Sequence, residues 1–206
     1  MLCVDVTPDI VAEALASGCD MIVSHHPLIF KGIKRLNGAG RVERSVMLAV
    51  EKGVAVYCCH TSIDNAPGGV SWTMAKRLGI GDCEVLSSQD GGDGSSGLGV
   101  IGTFVKPLTA AELVERVKRS FGSPVARCSC PPDRLIGRVA MCGGSGSEFL
   151  ANAVAGGAQA YVTSDTRYHD FVDYGDKIFI VDIGHFESEE CTKEIFYQII
   201  TEKFPN

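Results

Sequence analysis

Four of the five histidines in this chain stand where a predicted strand ends. His25 and His26 follow the apolar run Asp20–Ser24, His60 follows Val54–Cys59, and His185 follows Lys177–Ile183. Open α/β sheets bind ligands outside the carboxyl ends of their strands, so imidazoles gathered there point at one crevice. Adjacent residues on a strand face opposite ways, and His25 and His26 can serve one site only if the chain turns beneath them. Pro27 supplies that turn. Two consecutive imidazoles after an apolar strand are costly to desolvate without partners, which favours ligation over ordinary core packing.

Two further segments share one spacing, a histidine followed four residues later by a carboxylate: His60 with Asp64, and His185 with Glu189. At a strand-to-helix junction both members of such a pair can look back into the same crevice. Imidazole nitrogen and carboxylate oxygen are ligands for zinc, manganese, iron and cobalt, and carboxylates can bridge two ions. Five donors, His25, His26, Asp64, His185 and Glu189, exceed what one tetrahedral site needs and suit two divalent metals with positions open for water. Taken singly, His60 or His185 reads equally as a core histidine. Glu187, Glu189 and Glu190 read equally as acids favoured in a first helical turn. The joint arrangement carries the argument.

The elements that must position these residues alternate. A strand end at Leu2-Cys3-Val4 leads to a helix over about 8–17, capped by Thr7 with Pro8 at its first position. The strand to Val23, a helix from Val42 to Lys52 closed by Gly53, the strand to Cys59 and a helix near Gly69 to Leu78 follow. Beyond them come a strand over 99–105, a helix over 109–121, a short strand at 125–127, a strand over 138–142, a helix over 147–155, strands over 160–163 and 177–183, and a terminal helix from about Ser188 to Lys203. This order predicts an α/β protein of two interlinked units, with mainly parallel sheets facing a shared metal cleft. Residues 1–86 with 176–206 form the expected metal-binding domain and 98–175 the second. The Gly/Ser-rich stretch 87–97 reads as a flexible tip or linker. A weak internal repeat matches Ala14–His26 with Ala153–Asp165: helix end, glycine turn, strand, polar cluster. Any two βα units also look alike at this level.

Composition narrows the function. A net charge of −6, with basic residues scattered along the chain, gives no phosphate-tracking surface and argues against direct nucleic-acid binding. No apolar run approaches the roughly 20 residues that span a bilayer. Nine cysteines without paired spacings, several of them inside apolar strands, fit a reducing cytoplasm. Cys128-Ser-Cys130 lacks the two-residue spacer of a redox or metal pair. Gly143–Ser147 could cradle a phosphate with its N–H groups or be a plain tight turn. Asp165, Arg167, Tyr168, His169 and Asp170 could supply a general acid or an anion contact, or form a solvated loop.

Four ordered phrases, Ser24–Phe30, His60–Gly69, Thr163–Asp170 and Asp182–Glu189, closely resemble the Nif-three-like family, also called GTP cyclohydrolase 1 type 2 homologues. The likeness runs over almost the whole chain. It implies a dinuclear divalent-metal centre in a two-domain α/β subunit, assembled as a toroidal homohexamer, with the same five ligands that spacing proposes. Members of that family carry about one more helix and strand before the point where this chain begins, so the chain is either a shortened form or completes its sheet differently.

Two functions compete. The first is a metal-dependent hydrolase in which a metal-bridging hydroxide attacks a nucleotide-like substrate; the resemblance points to the imidazole ring of GTP. His60 and His169 are the candidates for proton transfer, near the proposed ligands in sequence but not needed as ligands. The second is a non-catalytic metal carrier or regulatory interaction protein in which the ions are cargo or structural.

Overall fold

The computed structural model describes residues 1–88 and 94–205. Two compact units are formed, Met1–Ile63 with Thr192–Asn206, and Asp64–Cys191. The first carries a three-stranded, fully parallel sheet in the order β1 (Leu2–Cys3), β2 (Met21–Ser24) and β3 (Ala55–Cys58). Helix α1 (Pro8–Ala16) begins as expected, with the Thr7 hydroxyl accepting the Ile10 N–H at 3.2 Å and Pro8 in the first turn, where its missing N–H costs nothing. Helix α2 (Arg41–Lys52) ends on Gly53, whose left-handed conformation closes the last turn. The core of this unit gathers Cys3, Val6, Val11, Ala14, Ile22, Ala49 and Val54. After β3 the chain enters a short helix, α3 (His60–Asn65).

The second unit opens with α4 (Val70–Leu78) and builds a six-stranded mixed sheet. Its elements follow as β4 (Ile80–Ser88), β5 (Gly97–Leu108), α5 (Ala110–Phe121), β6 (Arg127–Cys128), β7 (Ile136–Ser145), α6 (Leu150–Ala155), β8 (Ala160–Ser164), α7 (Tyr168–Tyr174), β9 (Phe179–Asp182) and α8 (His185–Glu189). The sheet order is β4-β5-β7-β8-β9-β6. β7, β8 and β9 run parallel, whereas β4–β5, β5–β7 and β6–β9 are antiparallel. Every residue of β8 and β9 is buried, the continuous apolar pattern of parallel strands covered on both faces. Ile101, Ala140, Leu150, Tyr161 and Ile180 anchor the core. Helix α9 (Thr192–Lys203) returns to the first unit and packs on β1.

The α/β class stands, and several details depart from the sequence pattern. The parallel expectation describes the first sheet; the second is mixed because β4 and β5 pair as neighbours in sequence. β4 and β9 belong to that second sheet, so 64–86 and 176–191 go with the larger unit and not with the first. β4 escaped prediction because Ile80–Ser88 is interrupted by Gly81, Asp82 and Glu84 and is half exposed. Of the stretch read as a linker, Ser87, Ser88 and Gly97 are strand, and 89–93 lie outside the described residues. The expected terminal helix is two, broken around Glu190 and the buried Cys191, and the cluster after Asp165 contains α7.

The internal repeat is visible in the backbone. Gly18 and Gly157 both adopt positive φ, three residues before β2 and β8. Cys19 N–H closes on Ala14 O at 2.8 Å, and Ala158 N–H closes on Ala153 O at 3.0 Å. Among the described residues no helix is long and apolar enough to cross a membrane.

Candidate metal centre

In the first unit the parallel ladder continues past the ends of the strands. His25 N–H donates to Cys3 O, His26 N–H to Val4 O, and His60 N–H to His25 O, at 3.1, 2.9 and 2.9 Å. The Ser24 hydroxyl donates to His26 O at 2.8 Å, and Cys58 Sγ lies 3.0 Å from His25 O. These bonds pin the turn, which is why consecutive residues deliver both imidazoles to one place. The rings of His25 and His26 lie 4.9 Å apart, and that of His60 lies 5.7 and 5.8 Å from them. His25 is fully buried. His26 Nδ1 lies 3.2 Å from Asp5 Oδ1, a carboxylate that the sequence reading did not select. The signal was available, since Asp5 follows β1 as the histidines follow β2 and β3. His60 holds φ at +34°, a left-handed value uncommon for a non-glycine residue, and its Nδ1 lies 3.3 Å from the Thr61 hydroxyl.

In the second unit the chemistry again sits at strand ends. His185 and Glu189 are the first and last residues of α8, and His185 Nε2 lies 3.0 Å from Glu189 Oε2. His185 Nδ1 lies 2.7 Å from Asp165 Oδ2, just beyond β8. Glu189 is almost wholly buried. Asp64 is on α3, and its charge reaches Cys142 on β7. Burial first, then Asp64, and later Glu189, push the Cys142 thiol up to about 12 despite a hydrogen bond to Ser71. Two of the proposed carboxylate ligands therefore act on one point of β7.

The loop Gly143–Ser147 is a structural turn. Its N–H groups at 143, 144 and 146 donate to the hydroxyls of Ser71, Ser188 and Thr163, at 3.4, 2.9 and 3.1 Å, and so are spent within the protein. Gly144 is its pivot. A Cβ there would collide with the Glu189 carboxylate and come within 3.3 Å of His185 Nε2, and φ is +64°. The backbone thus leaves room for two donor groups, a cradle that any side chain would fill.

His169 lies exposed on α7 with its ring 5.2 Å from Tyr168. Asp170 spends a carboxylate oxygen on the Arg167 N–H at 2.6 Å, capping the same helix. All nine cysteines are free, and Cys128 and Cys130 are exposed.

The donor sets fit divalent metals: imidazoles around Asp5 in one unit, and imidazole with buried carboxylate in the other. The hydrogen bond to Glu189, and secondarily that to Asp165, raise the His185 pKa from 6.5 to about 9 against the opposing effect of burial. The folded value lies above the unfolded one, so the imidazolium stabilises the fold fully below about pH 6.5 and the contribution disappears as pH rises through about 9. Chelator-treated protein is accordingly expected to lose urea resistance across that window. A His185→Gln variant should lose less, and an equal loss in both would remove His185 as the cause.

The pattern of the Duf34/NIF3 family (NGG1p interacting factor 3) matches residues 1–206. A Streptococcus pneumoniae protein named GTP cyclohydrolase 1 type 2 homolog is 35% identical over 191 residues, covering 90% of this chain and 71% of its own. Its Clostridium acetobutylicum namesake is 30% identical over 190 residues, covering 92% and 71%. The crystal structure of a Bacillus cereus protein related to NIF3 superposes with a TM-score of 0.88 at 22% identity, covering 98% of this chain and 83% of that one. That last likeness is one of fold.

Proposed function

This chain belongs to the Duf34/NIF3 family, and from that premise we propose that it is a dinuclear divalent-metal-dependent hydrolase acting on a nucleotide-like substrate. The ligands are His25, His26, Asp64, His185 and Glu189. The observation that carries the reading is the His185 clamp, in which imidazole, buried carboxylate and a glycine that excludes any side chain between them form a ready set of metal donors. Two bound ions would supply Lewis acidity and bring the pKa of a bound water toward neutrality. The protein's own residues do the rest. His26 is oriented by Asp5, His185 by Asp165, and His60, whose ring stands beside those of His25 and His26, moves the proton. His169 is the second candidate for proton transfer, from the exposed face of α7. The relatives' name, GTP cyclohydrolase 1 type 2 homolog, supports GTP as the first substrate to try. A homohexameric ring is the assembly proposed. Zinc, manganese, iron and cobalt all suit these donors.

The test is reconstitution with each metal, elemental analysis, and a screen against GTP, other nucleotides and phosphoesters. Turnover should track metal loading and vanish in His26→Ala, and Asp64→Ala should lose at least one ion per chain. If Asp64→Ala kept two ions, its assignment as a ligand would be wrong. Uniform silence with tight metal retention would favour the carrier or regulatory reading, which the family's description as an interacting factor also supports.

A further inference from the structure

We propose that Asp165 is a positioning residue for His185, fixing the tautomer and ring orientation that leave Nε2 as the donor nitrogen. Both partners of the ring are carboxylates, which can only accept, so the 2.7 Å contact to Asp165 holds a hydrogen on Nδ1 while Nε2 faces Glu189 at 3.0 Å. A metal taking the place of the Nε2 hydrogen would leave the one on Nδ1 with Asp165. Ligating histidines commonly have their second nitrogen held in this way, and the orientation rather than the charge is what the metal requires.

Three features separate positioning from stability. The Asp165 side chain is 55% exposed, and an ion pair so open to water adds little to stability. Its backbone nevertheless holds φ at +55°, a left-handed conformation disfavoured for residues other than glycine. That expense persists because both neighbours are fixed. The Ser164 hydroxyl donates to Gly144 O at 2.6 Å, the Thr166 N–H donates to Asp182 at 2.7 Å, and Arg127 donates to Thr166 O at 2.7 Å. Strain retained at an exposed residue by a rigid frame is the mark of a functional constraint. The pairing of Asp5 with His26 at 3.2 Å repeats the device in the first unit.

The role of Nε2 as metal donor rests on the metal reading above, and the test keeps the two apart. Asp165→Gly removes the carboxylate and relieves the left-handed strain, so it should unfold no earlier than wild type. Asp165→Asn keeps an acceptor without the charge. In metal-free, nitrogen-15-labelled protein at an alkaline pH where the ring is neutral, wild type should share the proton between Nδ1 and Nε2, because Asp165 and Glu189 both accept from it. Asp165→Gly should shift to the Nε2–H tautomer and Asp165→Asn should lie between. With cobalt, affinity of Asp165→Gly should fall roughly 10- to 100-fold, with an altered visible spectrum. An unchanged tautomer and unchanged cobalt affinity in Asp165→Gly would overturn the proposal. If wild type itself takes up no cobalt, the metal reading fails, and the tautomer comparison still decides what Asp165 does to His185.

Discussion

Gly144→Ala protein is expected to purify folded and to bind metal at least about a hundredfold more weakly than wild type. The added methyl cannot coexist with the Glu189 carboxylate where it stands, and it crowds His185 Nε2 at 3.3 Å. The carboxylate is the far end of a side chain and can swing away, so the fold survives while the donor pair is broken. Left-handed strain adds roughly 1–2 kcal/mol. Gly157→Ala is the matched control, because φ there is +73° and nothing lies within 4 Å of the new carbon. It should suffer the same strain and keep its metal. Elemental analysis with circular dichroism reads both; metal retained by Gly144→Ala, or lost equally from both, contradicts the cradle.

The second large effect falls on stability. Asp182 ends β9 almost fully buried and accepts from the Thr166 N–H at 2.7 Å, from the Thr166 hydroxyl and from Arg127 at 2.6 Å. Asp182→Ala leaves two buried Thr166 donors without a partner, at about 1–3 kcal/mol each. A loss of about 3 kcal/mol in urea unfolding is expected, with a smaller loss in Asp182→Asn, which keeps one acceptor. Arg127 is more than half exposed and can turn to water, so it adds little to the loss. The same network holds the corner that carries Asp165, and metal affinity should drop alongside stability. A wild-type unfolding midpoint for Asp182→Ala would show that this junction is not a structural pin.

The strand ends were legible because the signal there is simple: apolar runs closed by polar residues, with glycines where helices stop. Thr7-Pro8, Gly53 and the repeated turns at Gly18 and Gly157 follow local rules, and local rules are written in local sequence. The five candidate ligands were selected by the same rule, each standing at the carboxyl end of a strand or one helical turn beyond it. Asp5 was passed over although it obeys that rule, because one acid after a two-residue strand stands out less than a histidine pair. The close approach at Gly144 could not be read at all. It comes from Glu189, far along the chain, and only the folded backbone brings the two together. The antiparallel half of the larger sheet was hidden likewise, because β4 carries charged and small residues on an exposed face and is held by pairing with β5 rather than by its own pattern.

The way the smaller unit is assembled bears on biosynthesis. Its core strand β1 is made before Asp64–Cys191, but the helix that packs on it, α9, is made only after the whole of that stretch. Vectorial synthesis therefore reverses the usual order: the inserted, larger unit has all its residues before the unit that holds β1 can finish folding. Nascent chains halted before Thr192 should resist protease over 64–191 and be cut within 1–63, a sensitivity that release of the finished polypeptide removes.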